Sequence, residues 1–149
     1  MSTTPLPSGR IIDNDDEIGA LLAKTRRIAV VGIKTKESMQ PAYYVPEYAQ
    51  RAGYDIVPVP VYYPEATEIL GQKVYRSLAA IPGAVDMVNM FRRPKDLAAH
   101  LDDILAKKPQ SVWLQLGIRD DAFAARLTAA GIDVVEDRCL LVELRSHNR

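Results

Sequence analysis

The chain has 149 residues, 48% apolar and 26% charged, which suits an ordinary globular domain and excludes wholesale disorder or a collagen-like fibre. Lys plus Arg number 19 and Asp plus Glu number 19, so the overall basic surplus needed by a sequence-independent nucleic-acid binder is missing. A single cysteine, Cys139, excludes an internal disulfide and a cysteine-only zinc cluster, and His100 and His147 stand at no metal-site spacing from it.

Residues 1–10 are polar and proline-bearing and are expected as a flexible tail ahead of a domain over residues 11–149. No basic start leads into an apolar core, so no secretory signal is read. No apolar run approaches the ~20 residues that span a bilayer, and the expected location is the cytoplasm. Residues 15–24 read as a helix with Ile18, Leu21 and Leu22 on one face and acids at its start. Residues 28–31, closed by Gly32, read as the first strand. Pro41 and Pro46 bracket Tyr43, Tyr44 and Val45, so the next helix starts near Val45 or at Pro41 with a kink. Either start leaves a long loop after the first strand.

Residues 54–59 read as the second strand, 72–75 as a weaker candidate, 85–91 as a further strand, and 96–107 as a helix burying Leu97, Leu101, Ile104 and Leu105. A strand over 111–116, a helix over 120–130 and a strand over 132–135 follow, with residues 146–149 as a fraying end. Residues 51–57 and 129–135 share one design: a helix end, a glycine suited to positive φ, and a buried strand. The alternation predicts an α/β fold, a single Rossmann-like doubly wound domain with a mainly parallel sheet of five to six strands.

Ligands of such sheets bind beyond the carboxyl ends of the strands. The first strand ends in Gly32, Ile33, Lys34, Thr35, Lys36, Glu37 and Ser38. Gly32 permits close backbone approach, loop N–H groups and two lysines suit an anion, and Thr35 and Ser38 add hydroxyls. The plain alternative is a surface loop with solvated lysines. A dinucleotide fingerprint is missing, since Lys34 and Glu37 occupy its second and third glycine positions. The second strand ends in Pro58, Val59, Pro60 and Val61, with no acid for a ribose; this is an apolar wall suited to a purine or simply a rigid exit. Phe91, Arg92 and Arg93 close another strand, and the two arginines either grip phosphates in forked geometry or are merely solvated.

Several segments in order carry a resemblance: residues 28–32, 68–78, 81–82, Asp86 to Arg92, Trp113-Leu114-Gln115-Leu116-Gly117, and Asp137-Arg138-Cys139. From about Asp16 to Leu144 the chain resembles the small stand-alone CoA-binding proteins of bacteria, whose fold is similar to the amino-terminal CoA-binding domain of the succinyl-CoA synthetase alpha subunit. The resemblance implies coenzyme A, free or acylated, as cofactor and small-molecule partner; neither nucleic acid nor membrane is expected as partner, on the charge balance and the lack of a spanning apolar run. It implies that the diphosphate lies against Ile33, Lys34, Thr35, Lys36 and Ser38. The adenine side meets Pro58 to Val61, and Phe91, Arg92 and Arg93 meet the pantetheine or a phosphate. Pro60-Val61 stands where many members have Asn-Pro, which removes one polar contact. Neither histidine is placed for the synthetase's phosphohistidine chemistry, and no Ser-His-Asp or Cys-His pairing is suggested, so binding without complete synthetase catalysis is expected. The alternatives are a small dinucleotide-dependent oxidoreductase or transferase, and a protein-interaction module with a vestigial nucleotide cleft. Cys139 is expected near the cleft edge, where it either packs or forms a mixed disulfide with the CoA thiol.

Overall fold

The computed structural model describes residues 8–149. Helix α1 (Asp15–Lys24) begins where Asn14 accepts the Glu17 N–H at 2.9 Å, with three acids in its first turn. Strand β1 (Arg27–Val31), a loop containing one 3-10 turn (Lys36–Ser38) and helix α2 (Pro41–Arg51) follow. Of the two helix starts open to the sequence, the earlier one holds, and Pro46 lies inside the helix. Next come β2 (Asp55–Val59), the short strands β3 (Glu68–Ile69) and β4 (Gln72–Lys73), and β5 (Met87–Met90). A 3-10 segment (Pro94–His100) runs into α3 (Leu101–Lys107), and β6 (Ser111–Leu114), α4 (Asp121–Ala129), β7 (Asp133–Val135) and α5 (Leu140–Ser146) complete the order.

Strand β3 has no predicted counterpart, and three further elements differ from expectation. The weak strand candidate at 72–75 supplies β4, which pairs only with β3 as a separate hairpin. The helix expected over 96–107 is α-helical only from Leu101; before it, the Asp96 N–H donates to the Arg93 carbonyl three residues back, the tighter 3-10 spacing. Helix α5 has no predicted counterpart, because its seven residues are short for a periodic signal and Cys139 before it makes no side-chain cap.

The main sheet has the order β2-β1-β5-β6-β7, and every neighbouring pair is parallel. This is a Rossmann-like α/β fold. Side chains alternate across the sheet: Ala29 and Val31 of β1 join Ile104, Phe123 and Leu127 from α3 and α4, whereas Ile28 and Val30 join Ile18, Leu22, Val45, Ala49, Leu140 and Leu144 from α1, α2 and α5. Burial on both faces explains why the strands read as nearly unbroken apolar runs. From β1 the chain moves to β2 on one side and returns to β5 on the other, so the sheet's switch point lies between β1 and β5.

Residues 1–7 of the expected tail lie outside the described residues. Gly9 and Arg10 donate their N–H groups to the Thr128 carbonyl and Asp133 Oδ1, at 2.8 and 3.0 Å, and Ile11 bridges Val134 of β7. The expected fraying end is tied as well: Tyr48 Oη donates to the Arg149 carbonyl at 2.7 Å. Among the described residues no helix is long and apolar enough to cross a membrane.

Candidate functional site

The loop after β1 is organised by the protein itself. Gly32 has φ +86°, and a Cβ added there would meet the Phe91 carbonyl oxygen at 2.3 Å. Its first duty is therefore to let the ends of β1 and β5 touch. The Gly32 N–H donates to the Val59 carbonyl at 2.9 Å and the Lys34 N–H to the Ala42 carbonyl at 3.1 Å. Pro46 has no N–H to offer the carbonyl four residues back, and that carbonyl is Ala42's. The proline so leaves a helix carbonyl to hold the loop. Ser38 Oγ donates to the Thr35 carbonyl at 2.7 Å, and the Ser38 N–H uses the same oxygen. Ile33 is buried in the apolar cluster with α1 and α2.

A cleft of about 440 Å³ opens at the carboxyl edge of the sheet, beside the switch point. The loop after β1 contributes Lys34, and the start of α2 contributes Gln40, Pro41, Ala42 and Tyr44. Beyond β5 stand Phe91, Arg92, Arg93 and Pro94; beyond β6 stand Gln115, Leu116, Gly117 and Ile118; Cys139 closes the wall. The cleft thus brings together Lys34, Phe91, Arg92 and Arg93 of the sequence-predicted residues. Gly32, Ile33, Thr35 and Ser38 are not in its wall, and Lys36 lines a separate hollow with Glu37, Met39, Tyr43 and Tyr44. Pro58, Val59 and Pro60 are buried and Val61 is exposed, and none of the four lines the cleft. The carbonyls of Pro58 and Val59 already accept the N–H groups of Tyr75 and Gly32, at 3.0 and 2.9 Å.

Among the described residues the cleft wall carries three cations and no carboxylate. Arg92 is held in place: its Nε donates to His100 Nε2 at 3.2 Å, its Nη2 lies 3.9 Å from Asp96 Oδ2, and only 16% of its side chain is exposed. Arg93 donates from Nε to the same carboxylate oxygen at 3.0 Å but is 67% exposed. Burial, and then the Arg92 charge, hold His100 below its ordinary pKa, so a neutral ring offers Nε2 as acceptor. The Arg93 hydrogen bond lowers the Asp96 carboxyl.

The floor beyond β6 went unassigned as a ligand site in the sequence. Trp113 Nε1 donates to the Arg138 carbonyl at 2.8 Å, the Leu140 N–H to Gln115 Oε1 at 3.3 Å, and the Gly117 N–H to Asp137 Oδ1 at 2.7 Å. Asp137 sits at φ 55°, a left-handed conformation that Asp adopts more readily than most residues. Arg138 pairs with Glu143 at 3.0 Å and donates to the Asp13 carbonyl. The Trp-x-Gln-x-Gly and Asp-Arg-Cys segments are therefore two sides of one hydrogen-bonded structure. Their presence in the resemblance was the available signal, because no residue type among them announces phosphate chemistry. Cys139 is half-buried at this wall.

A family model described as CoA binding domain matches residues 26–145. YneT, an uncharacterized protein of Bacillus subtilis (strain 168), is 34% identical over 126 residues, covering 85% of this chain and 90% of its own. The solved structure of a Thermus thermophilus protein is similar at 41% identity and a TM-score of 0.83, covering 91% of this chain and 99% of that one. A hypothetical protein from Pyrococcus horikoshii OT3 is similar at 28% identity and a TM-score of 0.83, over 100% of this chain and 99% of that one. With the family model spanning most of the chain, and a cleft flanked by cations at the carboxyl edge, the chain belongs to the CoA binding domain family.

Proposed function

We propose that the cleft binds coenzyme A or an acyl-CoA, and that the chain is a binding module without complete synthetase catalysis. The observation that carries this reading is the cleft wall itself, in a chain of this family: Lys34, Arg92 and Arg93 converge at the switch point with no carboxylate among the described lining residues. Charge-assisted contacts to phosphate oxygens are the interactions such a wall supplies. Phe91, Leu116 and Ile118 provide apolar surface for the pantetheine arm. In this reading Thr35, Lys36 and Ser38 on the outer part of the loop extend the diphosphate contact begun by Lys34, and the adenine side lies toward the end of β2, Pro58 to Val61, where Val61 is the exposed residue. A nicotinamide dinucleotide is disfavoured by the lost glycine fingerprint and by the apolar end of β2. Acid–base or phosphohistidine chemistry has little support, since His100 is bonded to Arg92 and both His147 nitrogens face backbone carbonyls.

Calorimetric titration with CoA, NAD and NADH tests the reading. CoA is expected to bind in preference to both dinucleotides. Arg92→Ala is expected to weaken CoA roughly tenfold to hundredfold, the loss of one charge-assisted contact, and Lys34→Ala less, because its side chain is the more flexible. Absence of heat and of any melting shift at millimolar CoA, or a preference for NADH, overturns it.

A further inference from the structure

Gln115 is 4% exposed, yet it lines the cleft. Its Oε1 accepts the Leu140 N–H at 3.3 Å and Asn89 Nδ2 at 3.4 Å. A backbone N–H only donates, so the Leu140 contact fixes which end of the amide carries oxygen. The backbone is pinned too: the Gln115 N–H donates to the Met90 carbonyl at 3.3 Å, and its own carbonyl accepts the Ile118 N–H at 2.9 Å. The Nε2 amide nitrogen donates to nothing among the described residues. It is also not one of the sealed orphan atoms, which are Asn89 Oδ1 and Ser111 Oγ. The amide is thus held by its oxygen, and its NH₂ is left unpaired and unsealed on a residue that lines the cleft.

We infer that Gln115 Nε2 donates a hydrogen bond to an amide carbonyl of the pantetheine arm, making Gln115 the residue that reads the arm rather than the phosphates. This rests on the CoA reading of the cleft. A donor with no lone pair requires an acceptor, which excludes an ammonium or amide N–H of the ligand as its partner. The surroundings choose among acceptors: Phe91, Leu116 and Ile118 suit a neutral carbonyl, whereas Lys34 and Arg92 are available to phosphate. Because the amide is already oriented, little side-chain entropy is lost on binding. A ligand without the carbonyl leaves the donor desolvated and unpaired, and this makes the position discriminating.

The test titrates the wild type, Gln115→Glu and Gln115→Met with CoA, acetyl-CoA and adenosine 3′,5′-bisphosphate, which lacks the arm, while thermal melting is followed in parallel. Gln115→Glu keeps an acceptor for the Leu140 N–H and loses the donor, so it decides the matter if Gln115→Met fails to fold. Both variants are expected to lose roughly threefold to tenfold more affinity for CoA than for the bisphosphate, and the same excess for acetyl-CoA; the bisphosphate takes out the general repulsion that the new carboxylate of Gln115→Glu exerts on phosphates. Unchanged CoA affinity, an equal loss on the bisphosphate, or a loss confined to acetyl-CoA (which points to the thioester carbonyl) overturns the inference. A wild type that binds the bisphosphate as tightly as CoA also overturns it while leaving the nucleotide site standing. A wild type that binds no CoA overturns the reading of the cleft itself.

Discussion

The loops after β1 and β6 meet at one cleft but are held in different ways. Around β1, Lys34 is fastened to Ala42, eight positions away, and Ser38 to Thr35, three away. After β6, Gly117 is fastened to Asp137, twenty positions away, and Gln115 to Leu140, twenty-five away. The first loop is fastened mostly within itself and to the start of α2, shaped by Pro41 and Pro46, and only its Gly32 base reaches further, to Val59 and Phe91. The second takes its shape from the last unit of the fold. A local loop keeps most of its form when distant parts are altered, whereas the second depends on the docking of β7 and α5 against β6.

Two glycines give the largest contrast. Gly32 and Gly117 have nearly the same φ, +86° and +83°, but an added Cβ meets a backbone oxygen at 2.3 Å at Gly32 and nothing within 4 Å at Gly117. Gly32→Val is expected to cost more than about 3 kcal/mol or to prevent folding, because strain and a backbone clash add. Gly117→Ala is expected to cost about 1–2 kcal/mol, the conformational strain alone. Chemical denaturation measures both, and equal losses would erase the difference in packing between the loops.

Asp137 tests the long-range fastening. Asp137→Ala removes the acceptor of the Gly117 N–H and places a poorer residue in the left-handed region, for an expected loss of about 1–3 kcal/mol. Asp137→Asn keeps the acceptor and tolerates the conformation, so it is expected to stay within about 0.5 kcal/mol of wild type. Hydrogen exchange at Gly117 should accelerate in the alanine variant while Lys34 is unaffected. Acceleration at both amides would show the two loops to be one cooperative unit.

The histidines repeat the contrast with opposite pH signatures. His100 accepts from Arg92, eight residues away, and its pKa is lowered by burial and by that arginine. Its contribution is present above its unfolded pKa of about 6.5 and is lost as pH falls through the folded value. His147 places its two ring nitrogens 2.9 and 3.0 Å from the carbonyls of Glu143 and Asp15, the latter 132 positions away. Two acceptors favour the doubly protonated ring, and these bonds raise its pKa. Its contribution is present below about pH 6.5 and is lost as pH rises through the folded value. Melting against pH should therefore show His100→Gln flattening the acid limb and His147→Gln the neutral-to-alkaline limb; a shared limb would contradict these protonation states.

The smallest effect is expected at Cys139. Cys139→Ser retains nearly the same size at the half-buried wall, and reversible CoA affinity measured by calorimetry is expected to change less than about threefold. A larger loss would make the thiol a binding contact.

The five strands of the main sheet, α1 and α4 were legible because apolar patterning and helix-start residues such as Asn14 and Asp120 lie within a few residues of what they control. The cationic part of the cleft was legible for a related reason: a strand's carboxyl end follows from the fold class, and Lys34, Arg92 and Arg93 follow strands directly. Ser38 and the end of β2 were harder to judge. Their polar groups looked free in one dimension, and only folding revealed the Thr35, Tyr75 and Gly32 partners that occupy them.

By itself, then, the amino-acid order determined the α/β alternation, the parallel sheet and the cations beyond β1 and β5, since each arises from short-range propensity and patterning. Tertiary structure decided that β4 stays outside the main sheet, that α5 exists, and that Gln115, Gly117 and Cys139 share a wall with Arg92. The last two outcomes depend on hydrogen bonds between residues twenty or more positions apart, such as Leu140 to Gln115, and a partner at that distance is selected by the packing of whole elements, not by the residues beside it.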